Sequence, residues 1–163
     1  MEAKKINLFI VDDDKIIVTG LKYYLQNRFG ESMQISTFYT GESCLEKINK
    51  ETHIVILDYF LDGKDGIQTL KAIKVINPQT EVIMLTGNED IAIAIESFRM
   101  GAKDYVVKGH SSWKKIASVV SRIITAPIRL LVEEFGVTKY MAIFLLTFVI
   151  MGIVVLCTLW AMK

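Results

Sequence analysis

Ile54-Val55-Ile56-Leu57-Asp58 sets four aliphatic residues in a row against a terminal carboxylate. An unbroken apolar run of this length, without polar alternation, reads as a strand buried on both faces, as in a parallel sheet. An ionised carboxylate is costly to bury, so Asp58 is expected at the mouth of the strand, where the sheet meets solvent. That carboxyl edge is where open parallel sheets bind ligands. Two further runs end alike: Ile6–Val11 leads into Asp12-Asp13-Asp14, and Glu81–Leu85 leads into Thr86-Gly87. The chain thus delivers carboxylates and a hydroxyl to one edge of one sheet.

The segments on either side supply helices. Asp14 is placed to cap one carrying Ile17, Val18, Leu21, Tyr24 and Leu25, which Gly30 stops. Met33–Phe38 reads as a second strand, and Gly41-Glu42-Ser43 opens a short helix to about Asn49. Beyond Asp58 lies a turn-rich loop, Asp62-Gly63-Lys64-Asp65-Gly66. A helix through Ile67, Leu70, Ile73 and Ile76 follows and halts before Pro78. Val82–Leu85 is the fourth strand, and Asn88-Glu89-Asp90 begins a helix through Ile91, Ile95 and Phe98 that Gly101 closes. Asp104–Val107 is a fifth strand ending on Lys108. Strands alternating with helices over short connections predict an α/β fold, a parallel sheet with helices on both faces. Trp113, Ile116, Val119, Val120, Ile123 and Ile124 then form the apolar stripe of a fifth helix. Pro127 is expected to interrupt it and begin another, whose apolar face is Ile128, Leu131, Val132 and Phe135.

Of 163 residues, the 22 from Met141 to Met162 carry no charge. As a helix that run is about 33 Å long, enough for a hydrocarbon core of about 30 Å. Tyr140 and Trp160 stand near its ends, with Lys139 and Lys163 beside them, as interfacial residues do. Only Lys163 follows, so a single-pass tail anchor is expected, with Arg122, Arg129 and Lys139 placing the N-terminal part on the cytoplasmic side of the cell inner membrane. The division expected is a globular domain over 1–125, a juxtamembrane amphipathic linker over 126–139 and a transmembrane helix over 140–162. Residues 1–139 hold 18 side chains of each sign, and this neutrality argues against nucleic-acid binding. Cys44 and Cys157 read as reduced packing residues, and His53 and His110 as exposed loop residues. Ile6–Val11 is too short for a signal-peptide core, so none is expected.

Asp12, Asp13 and Asp58 should converge at neighbouring strand ends. Three close carboxylates repel, which raises their pKa values unless a cation joins them. A few carboxylates with waters retained suit Mg²⁺ better than a dedicated calcium cage. Thr86 offers a hydroxyl and Lys108 an ammonium from the next two strands. A carboxylate nucleophile, Mg²⁺, a hydroxyl and a lysine are what a phosphoryl group needs: an acceptor oxygen and charge neutralisation around its own oxygens. Asp58-Tyr59-Phe60 lacks a second carboxylate two residues on, which argues against a haloacid-dehalogenase-like phosphatase.

Residues 6–125 resemble the receiver domain of two-component response regulators. The matching pieces are Leu8-Phe9-Ile10-Val11-Asp12-Asp13-Asp14, Ile54-Val55-Ile56-Leu57-Asp58 with Asp65-Gly66, Val82-Ile83-Met84-Leu85-Thr86-Gly87 and Gly101-Ala102-Lys103-Asp104-Tyr105-Val106-Val107-Lys108. The resemblance implies a flavodoxin-like, doubly wound five-stranded sheet of order 2-1-3-4-5. It implies Asp58 as phosphoacceptor, Asp13 as a direct Mg²⁺ ligand, Asp12 as a ligand through water, and the Phe60 carbonyl as the remaining protein ligand. Thr86 and Lys108 would bind the phosphoryl oxygens, and Tyr105 would turn inward with Thr86 on activation. A sensor histidine kinase or phosphotransfer protein would be the donor. Phe60 and Asn88, two residues after Asp58 and Thr86, are placed to overhang the acyl phosphate. Gly109 stands where the family usually has a proline after the lysine, often with a cis peptide. A cis bond without proline costs ~3 kcal/mol, so trans is expected here. Asp62 replaces a second customary proline. With no output domain read in the sequence, output is expected through protein contact, including a homodimer, or through the membrane segment. The alternative is a membrane-tethered scaffold of the same fold, in which phosphorylation is incidental.

Overall fold

The computed structural model describes residues 5–61, 63, 65–87, 90–134, 144, 146–153, 158 and 160, with 127–134 described by backbone alone. The strands are β1 (Ile6–Val11), β2 (Met33–Phe38), β3 (Thr52–Asp58), β4 (Glu81–Thr86) and β5 (Asp104–Val107). Between and after them run α1 (Lys15–Phe29), α2 (Gly41–Leu45), α3 (Gly66–Ile76), α4 (Ile91–Arg99) and α5 (Ser112–Glu134). All strand pairs are parallel, in the order β2-β1-β3-β4-β5, which is the order expected.

The β3 run is central because it is apolar on both faces. Val55 and Leu57 join Phe9, Val11, Val82 and Met84 in a core closed by Cys44, Leu70 and Ile73 of α2 and α3. Ile54 and Ile56 alternate with them and so face the opposite layer, as Leu8, Ile10, Ile83 and Leu85 do; all are essentially inaccessible to solvent. Each such side chain contributes about 1.5–3 kcal/mol by burial. On that second face α1 and α5 approach closely, because Gly20 has no side chain: a Cβ there would lie 2.5 Å from the Trp113 ring.

Local chemistry sets the helix ends. The Asp14 carboxylate accepts from the N–H groups of Ile16 and Ile17 (2.7 and 3.3 Å), and Gly30 closes α1 with φ 59°. Asp65 caps α3 and Asp90 caps α4 in the same way. Asn88 and Glu89, read as part of the α4 start, lie outside the described residues, as do Asp62 and Lys64.

Three expectations change. α2 ends at Leu45, short of Asn49, because the chain turns there toward β3 and buries Ile48. Pro127 lies inside α5 and does not begin a new helix; a proline removes one backbone bond, and the turns on either side keep theirs. His53 is a β3 residue of intermediate exposure and not part of a loop. The β1–β3 register shifts at this point, and the His53 Nδ1 accepts the Asn7 N–H at 3.1 Å, taking over where the ladder is broken. His110 is exposed, in a turn.

The chain divides into two compact units, Met1–Ile123 and Ile124–Lys163. Within the second, residues 146–153 are helical, and the described apolar side chains, Phe144, Leu146, Phe148, Val149, Ile150, Met151, Ile153 and Trp160, are all exposed. Among the described residues no helix is long and apolar enough to cross a membrane. Much of the run 140–162, Cys157 included, lies outside them, as does the side-chain face expected at Ile128, Leu131, Val132 and Phe135.

Candidate functional site

Parallel pairing brings the ends of β1, β3, β4 and β5 together, and the backbone straps them. The Tyr59 N–H donates to Leu85 O (3.0 Å), and the Lys108 N–H donates to Thr86 O (2.6 Å). The Gly66 N–H donates to Tyr59 O (2.9 Å), pinning the start of α3 against the end of β3. Only glycine fits there, since a Cβ would lie 2.4 Å from Asp58 O and 2.7 Å from Tyr59 Cα.

The three consecutive aspartates divide their work. Asp14 caps α1, Asp13 is exposed, and Asp12 is fully buried, with Oδ1 accepting the Asp14 N–H at 3.0 Å. Asp58 stands at the end of β3, the strand mouth expected, and is also buried there, 2% exposed. The compensation is Lys108. Its Nζ donates to Asp58 Oδ2 at 2.8 Å and lies 2.8 Å from Asp12 Oδ2, a charge contact without hydrogen-bond alignment. One carboxylate oxygen from each of Asp12, Asp13 and Asp58 lies within 4.8 Å of the other two.

Burial dominates the electrostatics. It pushes the Asp58 carboxyl up to about 6, against the lowering pull of Lys108 and with a further push from Asp12. Asp12 is raised for the same first reason. Burial also presses the Lys108 ammonium down, but the two carboxylates together outweigh it and hold Lys108 above the usual lysine range. Asp58 Oδ1 is buried with no hydrogen-bond partner among the described residues. A buried carboxylate oxygen without a partner among the described residues, beside the carboxylates of Asp12 and Asp13, fits a hard divalent cation with oxygen ligands.

Thr86 ends β4 and is fully buried. Its side chain shares a hydrogen bond with the Tyr105 phenol, whose pKa is raised mainly by burial. The structure therefore brings Asp12, Asp13, Asp58 and Lys108 together, with Tyr105 joined to Thr86 beside them. Phe60 follows Tyr59 beyond the end of β3 and is 54% exposed, with its ring edge-on to that of Tyr59 at 4.8 Å. No cis peptide is present among the described residues, in line with the trans bond expected at Gly109. The Tyr105–Thr86 bond and the Lys108–Asp12 contact were not read from the sequence, since neither leaves a local signal. Gly66 had one, an Asp-Gly pair opening a helix. Cys44 is buried and its thiol is pushed up to about 12 by that burial, as a packing residue should be.

Residues 8–119 match the family model described as the response regulator receiver domain. The transcriptional regulatory protein ZraR of Klebsiella oxytoca is 31% identical over 109 residues, 66% of this chain and 24% of that protein. The heme response regulator HssR of Staphylococcus epidermidis is 36% identical over 104 residues, 63% of this chain and 45% of that protein. The response regulator DrrB of Thermotoga maritima superposes with a TM-score of 0.67 at 31% identity, over 76% of this chain and 54% of that one. The chain thus spans about a quarter of the length of relatives such as ZraR.

Proposed function

The chain belongs to the response regulator receiver domain family, and we propose that it is a phosphorylation switch held at a membrane. The observation that carries this reading is the buried Asp58 at the end of β3, with Oδ2 held by Lys108 and Oδ1 without a hydrogen-bond partner among the described residues. An Asp58 oxygen attacks the phosphorus of a phosphohistidine on a sensor histidine kinase or phosphotransfer protein. The new P–O bond forms as the P–N bond breaks, and the imidazole keeps the electron pair and takes a proton from water. Lys108 turns from the carboxylates to the phosphoryl oxygens, and Thr86 donates its hydroxyl to them. Tyr105, already bonded to Thr86, follows that hydroxyl and carries the change toward α4 and β5. Mg²⁺ held by Asp12, Asp13, Asp58 and the Phe60 carbonyl would neutralise charge on the transferring group.

Output runs through protein contact at α4, where Ile91, Ile95 and Phe98 are exposed at one-turn and two-turn spacing. The anchor is the uncharged run ending at Met162; its length and the exposed apolar side chains of residues 146–153 support a single-pass helix at the inner membrane, with the receiver on the cytoplasmic side.

The test is phosphorylation of the full chain in detergent by phosphoramidate with Mg²⁺, read by intact mass. Wild type should gain one phosphoryl group and Asp58→Asn none. Equal gain in both, or none in a folded wild type, would overturn the reading.

A further inference from the structure

The two edge strands of the sheet are guarded differently. β5 has four residues, and its Asp104 pairs with Arg122 at 2.8 Å while Lys103 and Lys108 flank it. Short length and charge discourage pairing with another chain. The opposite edge, β2, has six residues, Met33-Gln34-Ile35-Ser36-Thr37-Phe38, without charge or proline. Phe38 O accepts the Asp12 N–H at 3.2 Å, which fixes the strand's orientation. Gln34, Ser36 and Phe38 turn their backbone groups toward β1, so Met33, Ile35 and Thr37 turn theirs out of the sheet. Among the described residues no backbone group bonds to that outer edge. On one face of the same strand lies a cavity of about 620 Å³ whose lining includes Phe9, Ser36, Phe38, Lys47 and Glu51.

We infer that β2 is a self-association edge, at which two copies of this chain pair β2 with β2 antiparallel about a two-fold axis at Ile35. Hydrogen-bonded pairs across the edge form only between outward residues, a condition that the pairing centred on Ile35 meets. Ile35 faces Ile35, Met33 faces Thr37 and Gln34 faces Ser36, so apolar or neutral partners meet and no like charges oppose. Lys47 and Glu51 give the lining of the neighbouring cavity one charge of each sign, so no single-sign field beside β2 opposes a second copy. An isologous two-fold contact also closes, leaving no further β2 edge to polymerise. An extended peptide from another protein is the competing occupant; the self-complementary register favours the copy. The inference does not depend on phosphorylation at Asp58.

The test uses the full chain in detergent with Cys157→Ser; Cys44 stays, its thiol being fully buried. Chains with Gln34→Cys are mixed with chains with Ser36→Cys and oxidised, and the mixture should cross-link faster than either alone, because these positions are directly opposed. In a second arm, Gln34→Glu with Ser36→Glu sets like charges opposite each other twice per dimer and should weaken association about tenfold. Mixing that chain with one carrying Gln34→Lys and Ser36→Lys should restore it, which a folding defect would not allow. A wild type that stays monomeric at every concentration, cross-linking equal in all three mixtures, or no restoration on mixing would each overturn the inference.

Discussion

Asp58 is held between two opposing forces, burial that favours its proton and Lys108 that favours its charge. Burial wins, and the folded-state pKa of about 6 exceeds the ordinary 3.8. Between those values the folded chain keeps a proton that the unfolded chain releases. The stability this supplies is therefore fully present below about pH 4 and is lost as pH rises through about 6. In chelator, Asp58→Asn should flatten that part of the stability curve and raise the melting temperature near neutrality, by the equivalent of roughly 2–3 kcal/mol. Melts of both proteins from about pH 4 to pH 8 check this, and parallel curves would count against it. Phe60 carries a second prediction at this scale. Its exposed ring can hinder a water approaching the acyl phosphate but cannot orient one. Phe60→Asn should therefore shorten the phosphorylated lifetime severalfold, measured as loss of the added mass after the donor is removed.

The β3–α3 junction shows how an element positions a reacting atom. Gly66 sits against the Asp58 carbonyl, and its N–H holds Tyr59 O. Gly66→Ala must move backbone on one side or the other, because both close atoms belong to the main chain. We expect a loss of about 1–3 kcal/mol in denaturant unfolding, as for other overpacked sites, together with slower phosphorylation. Gly109→Ala is the control. A Cβ at Gly109 meets nothing within 4 Å, so stability should change by less than about 0.5 kcal/mol. If the two substitutions cost the same, the junction is not held as described.

For the whole molecule, the question is what the two compact units do together. If the uncharged run anchors the chain, the full protein should remain in the membrane fraction after alkaline extraction. A chain ending at residue 126 should be released. Equal partition of the two would remove the anchor from the proposed function. Confinement of this kind would raise the local concentration of receivers without any new contact.

The sequence by itself determined the five strands, their parallel arrangement, the Asp14 cap and the set of groups at one sheet edge. Each of these is written in a local pattern: an apolar run, an Asp before a helix, a charge at a strand end. The limits of α2 and the continuity of α5 through Pro127 were not legible, because propensity is a weak guide where packing decides. His53 looked like a loop residue because nothing local announces a register shift that its imidazole then repairs. Above all, the sequence placed Asp58 at the strand mouth on the cost of burying a charge, and its burial there was not legible. Only the tertiary structure could bring Lys108, 50 residues away in sequence, onto both Asp12 and Asp58. That contact depends on the pairing of β3, β4 and β5, and it is what allows two carboxylates to be buried side by side.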